Sequence, residues 1–201
     1  MARIPSLLAL PALLVALVSL STPLQAKPLT AFQAVAIAAK NVPVDSQKKL
    51  VAIRGDRSAT ELTPDTWTAL FYDETAGQQG RMVTVAGKAV TGIRDGYMEL
   101  GRFRLAAYKL EEVVDPAQLK VDSDKALNLL SQTNLLKPYT LSSVTYTLEK
   151  DKDLREPIWR LEVYVDKGGK EDDIGFARIS AQDGKIIEMK FKPFEPAPAT
   201  K

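Results

Sequence analysis

Ser46 and Lys49 stand at the Ser-x-x-Lys spacing found in serine acyltransferases and lactamases. One helical turn then separates the two side chains, so that the lysine can help to deprotonate the serine hydroxyl. The companion motifs Ser-Asp-Asn and Lys-Thr-Gly are missing from the sequence, and the pair follows Pro43 in a polar connection. We therefore interpret the pair as a chance occurrence.

Two acidic runs contain oxygen ligands of the kind that Ca²⁺ prefers, Glu171-Asp172-Asp173 and Asp122-Ser123-Asp124. A calcium loop places its ligands at alternating positions around a turn-forming glycine, and neither run has that pattern. The first run is typical of a solvated turn and the second of a helix cap. We predict no metal site and no cofactor.

Composition excludes several classes of active site. The chain has no histidine and no cysteine, which removes histidine-held zinc or haem, Ser-His and Cys-His nucleophile pairs, and disulfides. A carboxylate pair for glycoside hydrolysis is not excluded by the 25 acidic residues, but none lies in an evidently apolar setting that would raise its pKa. The net charge is +2 with no basic cluster, so we predict no nucleic-acid partner.

Residues 1–26 are typical of a secretory signal peptide. Arg3 supplies the positive charge, Leu7 to Leu20 the apolar core, and Leu24-Gln25-Ala26 the cleavage site. The core is short for a membrane span, which needs about 20 apolar residues, and Pro11 interrupts it. We expect an exported protein, periplasmic or secreted, with no membrane contact after cleavage. An uncleaved membrane anchor is the alternative.

Two similar segments, each beginning with tryptophan, indicate an internal duplication. Residues 67–72 (Trp-Thr-Ala-Leu-Phe-Tyr) and 159–164 (Trp-Arg-Leu-Glu-Val-Tyr) contain the only two tryptophans and lie 92 positions apart. The same offset aligns Ala34-Val35-Ala36-Ile37 with Ala126-Leu127-Asn128-Leu129. We interpret the chain as a duplicated module.

Each copy is predicted to be one helix followed by about four antiparallel strands. Thr30 is a suitable N-cap for the first helix, and the cluster at 122–124 for the second. An amphipathic helix and a meander sheet each have one face to cover, and packing the helix on the sheet covers both. The predicted strands are 50–53, 66–72, 81–86 and 89–93 in the first copy, and 140–148, 158–165, 174–180 and 185–191 in the second.

The fold class that follows is α+β, with two tandem modules that each pack one helix on their own antiparallel sheet. The predicted boundaries are a signal peptide at 1–26, module one at 27–94, a connection at 95–120, module two at 121–192, and a disordered tail at 193–201.

The helix, tryptophan strand and closing hairpin of the second copy resemble the PepSY domain. The residues that carry the resemblance are 122–127, 159–164 and 179–187, and the first copy repeats them more loosely at 30–37, 67–72 and 83–90. The resemblance implies a small helix-plus-sheet module of bacterial envelope and secreted proteins, also found in the propeptides of some metallopeptidases. It further implies a binding or peptidase-regulating unit without catalytic residues, and therefore a protein that is not an enzyme. Any peptidase would be a separate partner.

Alternation along the tryptophan strands sorts their side chains between two faces. Trp67 and Trp159 fall on the apolar side, which we predict the helices to cover. The opposite side is predicted to be open, and tyrosine on such a face often anchors interfaces because it buries area at low entropic cost. The predicted protein-contact residues are Tyr72, Tyr164, Arg160 and Glu162. For each tyrosine, a plain surface role or a contact with the other module is the alternative.

The function expected from these features is that of an exported binding protein. It would regulate or inhibit a peptidase, or bind another cell-envelope protein, through open sheet faces or exposed edge strands. The alternative is a structural or assembly protein that forms homo-oligomers through its open sheet faces. A third hypothesis, a histidine-free hydrolase, would require a deep pocket with clustered carboxylates.

Overall fold

The computed structural model describes residues 28–98 and 106–193. The predicted signal peptide and residues 194–201 of the predicted tail lie outside the described residues. The main elements are α1 (Ala31–Ala39), β1 (Leu50–Gly55), β2 (Thr66–Tyr72), β3 (Gly80–Ala86), β4 (Ala89–Asp95), α2 (Ser123–Ser131), β5 (Leu141–Lys150), β6 (Pro157–Asp166), β7 (Glu171–Ser180) and β8 (Ile186–Phe191). Short 3-10 turns occupy Val44–Ser46, Gly77–Gln79, Leu110–Glu112 and Pro116–Gln118.

No helix in the described ranges is long and apolar enough to cross a membrane.

All eight strands belong to one antiparallel sheet, in the order β4-β3-β2-β1-β5-β6-β7-β8. The two halves of the chain, 28–95 and 121–193, meet where β1 pairs with β5, from Ala52 opposite Glu149 to Gly55 opposite Tyr146. The prediction of two tandem modules, each a helix on its own four-stranded sheet, is therefore wrong. Alternation locates strands but does not say which of them pair, so it does not reveal the β1–β5 junction.

Local signals account for the start of both helices. Thr30 and Gln33 form a capping box, in which Thr30 Oγ1 accepts from the Gln33 amide at 3.4 Å and Gln33 Oε1 accepts from the Thr30 amide at 3.1 Å. Asp122 caps α2 by accepting from the Ser123 amide at 2.7 Å. Both predicted caps are confirmed.

The residues at the start of α2 also cap the N-terminus of α1 across the junction. Ser123 Oγ accepts from the buried Ala31 amide at 3.0 Å, and Asp122 Oδ1 accepts from the Phe32 amide at 3.1 Å. The Asp122 carboxylate thus serves the first turns of both helices, where the partial positive charge of each helix dipole favours an anion. These contacts hold the two halves in one arrangement.

One hydrophobic core runs under both helices without a break at the junction. At its centre the Tyr146 ring lies between the two tryptophans, with centroids 5.7 Å from Trp67 and 6.4 Å from Trp159. Phe32 of α1 stacks on Trp159 of the other half at 6.3 Å. All three central rings are buried, which confirms the prediction that the tryptophan side of the strands faces the helices.

The opposite side of the sheet carries a second, smaller core in the first half. Met98 and Tyr108, from the segment between the halves, cover sheet residues that include Leu70, Tyr72 and Met82. The Tyr108 hydroxyl accepts from the Met98 amide at 3.1 Å. Tyr72 is only 7% exposed, so the prediction that it lies on an open face is wrong. The reason is that the connecting segment folds back over this half of the sheet.

Candidate functional site

On that same side of the sheet, the second half presents charged and aromatic side chains where the first half has an apolar core. Register places them on three neighbouring strands. We call this surface the β6–β8 face, and its residues are Arg160, Glu162 and Tyr164 on β6, Phe176 and Arg178 on β7, and Glu188 and Lys190 on β8. Lys190 is exposed and the others are half-buried.

Arg160 is a cation of the β6–β8 face that two neighbouring side chains hold in place. Its Cζ lies 3.7 Å from the centroid of the Phe176 ring, a cation–π contact, and its Nε donates to Glu162 Oε1 at 3.0 Å. The Arg160 side chain nevertheless keeps 42% of its surface exposed. Two partners fix the position of the guanidinium while leaving part of it accessible to another molecule.

A second arginine, Arg178, lies directly opposite Arg160 on the neighbouring strand. Like charges in that position repel each other, and two carboxylates compensate for Arg178. Its Nη2 contacts Asp151 Oδ2, and its Nη1 lies 3.5 Å from Glu188 Oε2. Burial tends to raise the pKa of Asp151, but the Leu154 and Asp153 amides and Arg178 outweigh that effect and hold the pKa below its usual value. Asp151 is therefore ionised at neutral pH.

A polar groove of about 690 Å³ follows the junction between β1 and β5 next to the β6–β8 face. It lies at the end of the junction where β1 finishes and the β6–β7 turn begins. Its lining includes Arg54, Asp56, Arg57, Ser142, Thr145 and Glu171. Because both halves contribute to the lining, this groove depends on the one-sheet architecture.

Arg57 connects the groove to the β6–β8 face. Its Cζ lies 4.3 Å from the Tyr164 ring centroid, and its Nη1 donates to Glu171 Oε2 at 2.7 Å. The other Glu171 oxygen accepts from the Ser143 and Ser142 hydroxyls at 2.7 and 3.0 Å. Hydrogen bonds from Ser143 and Ser142, and then the charge of Arg57, hold the pKa of Glu171 below its usual value. Tyr164 thus forms the border between face and groove.

The structure brings together three of the four predicted contact residues. Arg160, Glu162 and Tyr164 lie on one face of β6, whereas Tyr72 is buried under the connecting segment. Sequence reasoning missed Phe176 and Arg57. The alternation of β7 contains a signal for Phe176, but no sequence pattern indicates that Arg57 reaches across the junction. A role of these residues in binding a protein stays a prediction.

The structure places the motifs with possible catalytic or metal chemistry in ordinary turns and strands. Ser46 is buried in a 3-10 turn, and Lys49 Nζ lies 5.5 Å from the Tyr72 ring centroid. The predicted turn at 171–173 is wrong, because these residues begin β7. Within the ranges 28–98 and 106–193, no cluster of three or more metal-ligating side chains is positioned to hold an ion.

Among residues 28–98 and 106–193, the carboxylates with a resolved pKa shift are all shifted in one direction. The pKa values of Asp73, Asp151, Glu171, Asp172, Asp183 and Glu188 are lowered. A glycosidase-type general acid needs a raised pKa, so these six groups are suited to accept hydrogen bonds and form ion pairs.

Comparisons of the chain with protein-family models, with curated proteins and with solved structures find no match.

Proposed function

We propose that this protein is an exported, non-catalytic binding protein that contacts another protein of the cell envelope through the β6–β8 face. The export signal and the PepSY resemblance of the sequence support the compartment and the kind of partner. The observation that carries the proposal is the ordered Arg160, which is fixed by Phe176 and Glu162 and yet is partly exposed.

Arginine and aromatic side chains are the types that most often dominate the binding energy of interfaces. Arg160, Phe176 and Tyr164 combine both types on two neighbouring strands. Because internal contacts already hold them, binding would cost little further side-chain entropy. The difference between the two halves of the sheet also supports a binding role for this face. The first half covers this side with its own connecting segment, whereas the second half leaves the β6–β8 face accessible to a partner.

A peptidase is the first partner to test, since the resembled family includes peptidase propeptides. The exported chain would be tagged, purified from its own envelope fraction, and assayed for bound peptidase and for inhibition of that peptidase. We expect Arg160→Glu to reduce both the recovery and the inhibition, because it places like charge beside Glu162. Lys125→Glu, at an exposed position of α2, is the matched control and should change neither. Equal recovery with both variants would remove the β6–β8 face from the proposal.

A homo-oligomer through the same face is the second candidate. Cations and carboxylates alternate on the β6–β8 face. Arg160 pairs with Glu162 two residues along the same strand, and Arg178 pairs with Glu188 on the neighbouring strand. A surface of alternating charge is self-complementary about a two-fold axis. Sedimentation velocity over a range of concentrations distinguishes the candidates. A dimer that Arg160→Glu dissociates would favour the assembly function, and a monomer at all concentrations would remove it.

A further inference from the structure

The strand at one edge of the sheet, β4, is open to the outside over most of its length. It pairs with β3 on one side, and within ranges 28–98 and 106–193 it has no strand on the other. Residues 91–95 are all exposed, and Ile93 keeps 48% of its surface accessible. An edge strand of this kind presents backbone groups that can pair with a further strand.

The opposite edge, β8, carries more protection than β4. Each strand has a lysine directly before it, Lys88 for β4 and Lys185 for β8, but Lys190 lies within β8, and Lys192 and Pro193 follow it. Edge lysines and prolines are the usual protection against strand addition. In β4 the first five residues are Ala, Val, Thr, Gly and Ile, without lysine or proline. The two edges of one sheet therefore differ in how readily they accept a partner.

The side chains of β4 specify what would fit beside it. Ile93 lies opposite Val83 on the side of the main core, so an added strand would meet an apolar neighbour there. Arg94 lies opposite Met82 on the other side and is exposed. Lys88, in the turn before β4, is also exposed, and neither cation has an ion-pair partner among the residues described. Asp95, in contrast, has an ion-pair partner, since its Oδ1 lies 3.8 Å from Arg81 Nη2.

We propose that β4 is a strand-addition site for an extended, acidic segment of another protein. The segment would alternate apolar residues, packed beside Ile93, with carboxylates beside Arg94. Opposite charges on neighbouring strands stabilise the pairing and like charges oppose it. Main-chain hydrogen bonds would supply affinity, and these two positions would supply selectivity. This site is separate from the β6–β8 face and does not depend on it.

The probe is an acetylated, amidated peptide of sequence Val-Glu-Val-Glu-Val-Glu-Val-Glu, with its Val-Lys counterpart as control. Backbone amide NMR of the exported chain would report binding at residue level. We expect the Glu peptide to shift the amides of 89–95 and to bind about tenfold more tightly than the Lys peptide. Arg94→Glu should reverse the preference, and Lys185→Glu at the guarded edge should leave it unchanged.

Ile93→Asn provides a second variant, which adds no charge to β4. Since Ile93 is half exposed, the substitution should leave unfolding unchanged while it removes the apolar neighbour of the added strand and weakens the Glu peptide about fivefold. Equal binding of both peptides, amide shifts outside β4, or no binding would each overturn the proposal. Self-association that Ile93→Asn abolishes would assign the edge to a second copy of this chain instead, and would also overturn it.

Discussion

Trp159 donates its indole N–H to the backbone carbonyl of Val121 at 2.8 Å, across 38 positions of the chain. Trp67 makes the matching bond to the carbonyl of Leu29 at 3.0 Å, across the same 38 positions. Each accepting carbonyl lies just before the N-cap of the helix in its half. The duplicated tryptophan is therefore a structural device that fastens the start of each helix to the sheet.

Trp159→Phe should destabilise the protein by about 2–3 kcal/mol, because it removes buried volume and leaves the Val121 carbonyl without this donor. Trp67→Phe should have a similar effect for the same reason. The free energy of unfolding from urea titration measures both. Leu154→Ala is the control, since Leu154 is exposed and its truncation should cost less than about 1 kcal/mol. A loss for Trp159→Phe as small as for the control would contradict the proposed fastening role.

Ser123→Ala tests the capping of α1 by the start of α2. The substitution leaves the buried Ala31 amide without an acceptor, so we expect a loss of about 1–3 kcal/mol in the free energy of unfolding. Ser131→Ala is the matched control, because the Ser131 hydroxyl bonds within its own helix on an exposed surface. That change should stay within about 0.5 kcal/mol. Equal losses for the two serines would show that the contact between helices contributes nothing measurable.

Gly55 is required by close packing at the β1–β5 junction. A Cβ on Gly55 would lie 2.5 Å from both Pro64 Cγ and Trp67 Cζ3, neither of which can yield easily. Gly55→Ala should therefore cost about 1–3 kcal/mol through overpacking. Gly92→Ala provides the comparison, since its nearest neighbour would be Thr84 Cβ at 3.9 Å. Thermal unfolding of the two variants should separate them clearly, and equal midpoints would refute the packing argument.

Stability should decline in acid because folded carboxylates have lowered pKa values. For Asp73, hydrogen bonds from Thr75 and Arg81 outweigh burial, which acts in the opposite direction, and the pKa falls below its usual value. The stability that Asp73 contributes is therefore present above its unfolded pKa, roughly 3.9, and is lost as pH falls through the lower folded value. Without histidine, the thermal midpoint should be nearly flat between about pH 5 and pH 8.

Stability should also decline in alkali, for the opposite reason. Burial, and to a lesser extent the charge of Asp124, raises the pKa of Tyr146 above its ordinary value. The contribution of Tyr146 is present below the unfolded pKa of about 10 and is lost as pH rises towards the folded value. Tyr146→Phe should lower stability at neutral pH, since Tyr146 donates to the Leu62 carbonyl at 3.0 Å, and should flatten the alkaline limb. An unchanged alkaline limb in the variant would contradict this assignment.

Short-range features of the fold could be predicted from the sequence, and long-range ones could not. The caps at Thr30 and Asp122 and the burial of both tryptophans follow from local residue types and alternation. The β1–β5 junction joins backbone groups with no recognisable residue pattern. The burial of Tyr72 depends on where the connecting segment folds. The candidate site shows the same limit, since Arg160 and Glu162 share a strand whereas Arg57 reaches Tyr164 across the junction.

The central claim is that the β6–β8 face contacts another envelope protein, and site-specific photo-crosslinking tests it most directly. A photoreactive residue would replace Lys190 on the face, or Lys125 on α2 as a control, in the chain expressed in its native cells. We predict a discrete cross-linked protein from position 190, lost when Arg160→Glu is added, and none from position 125. The same cross-links from both positions, or a cross-link from position 190 that Arg160→Glu leaves intact, would contradict the proposed function.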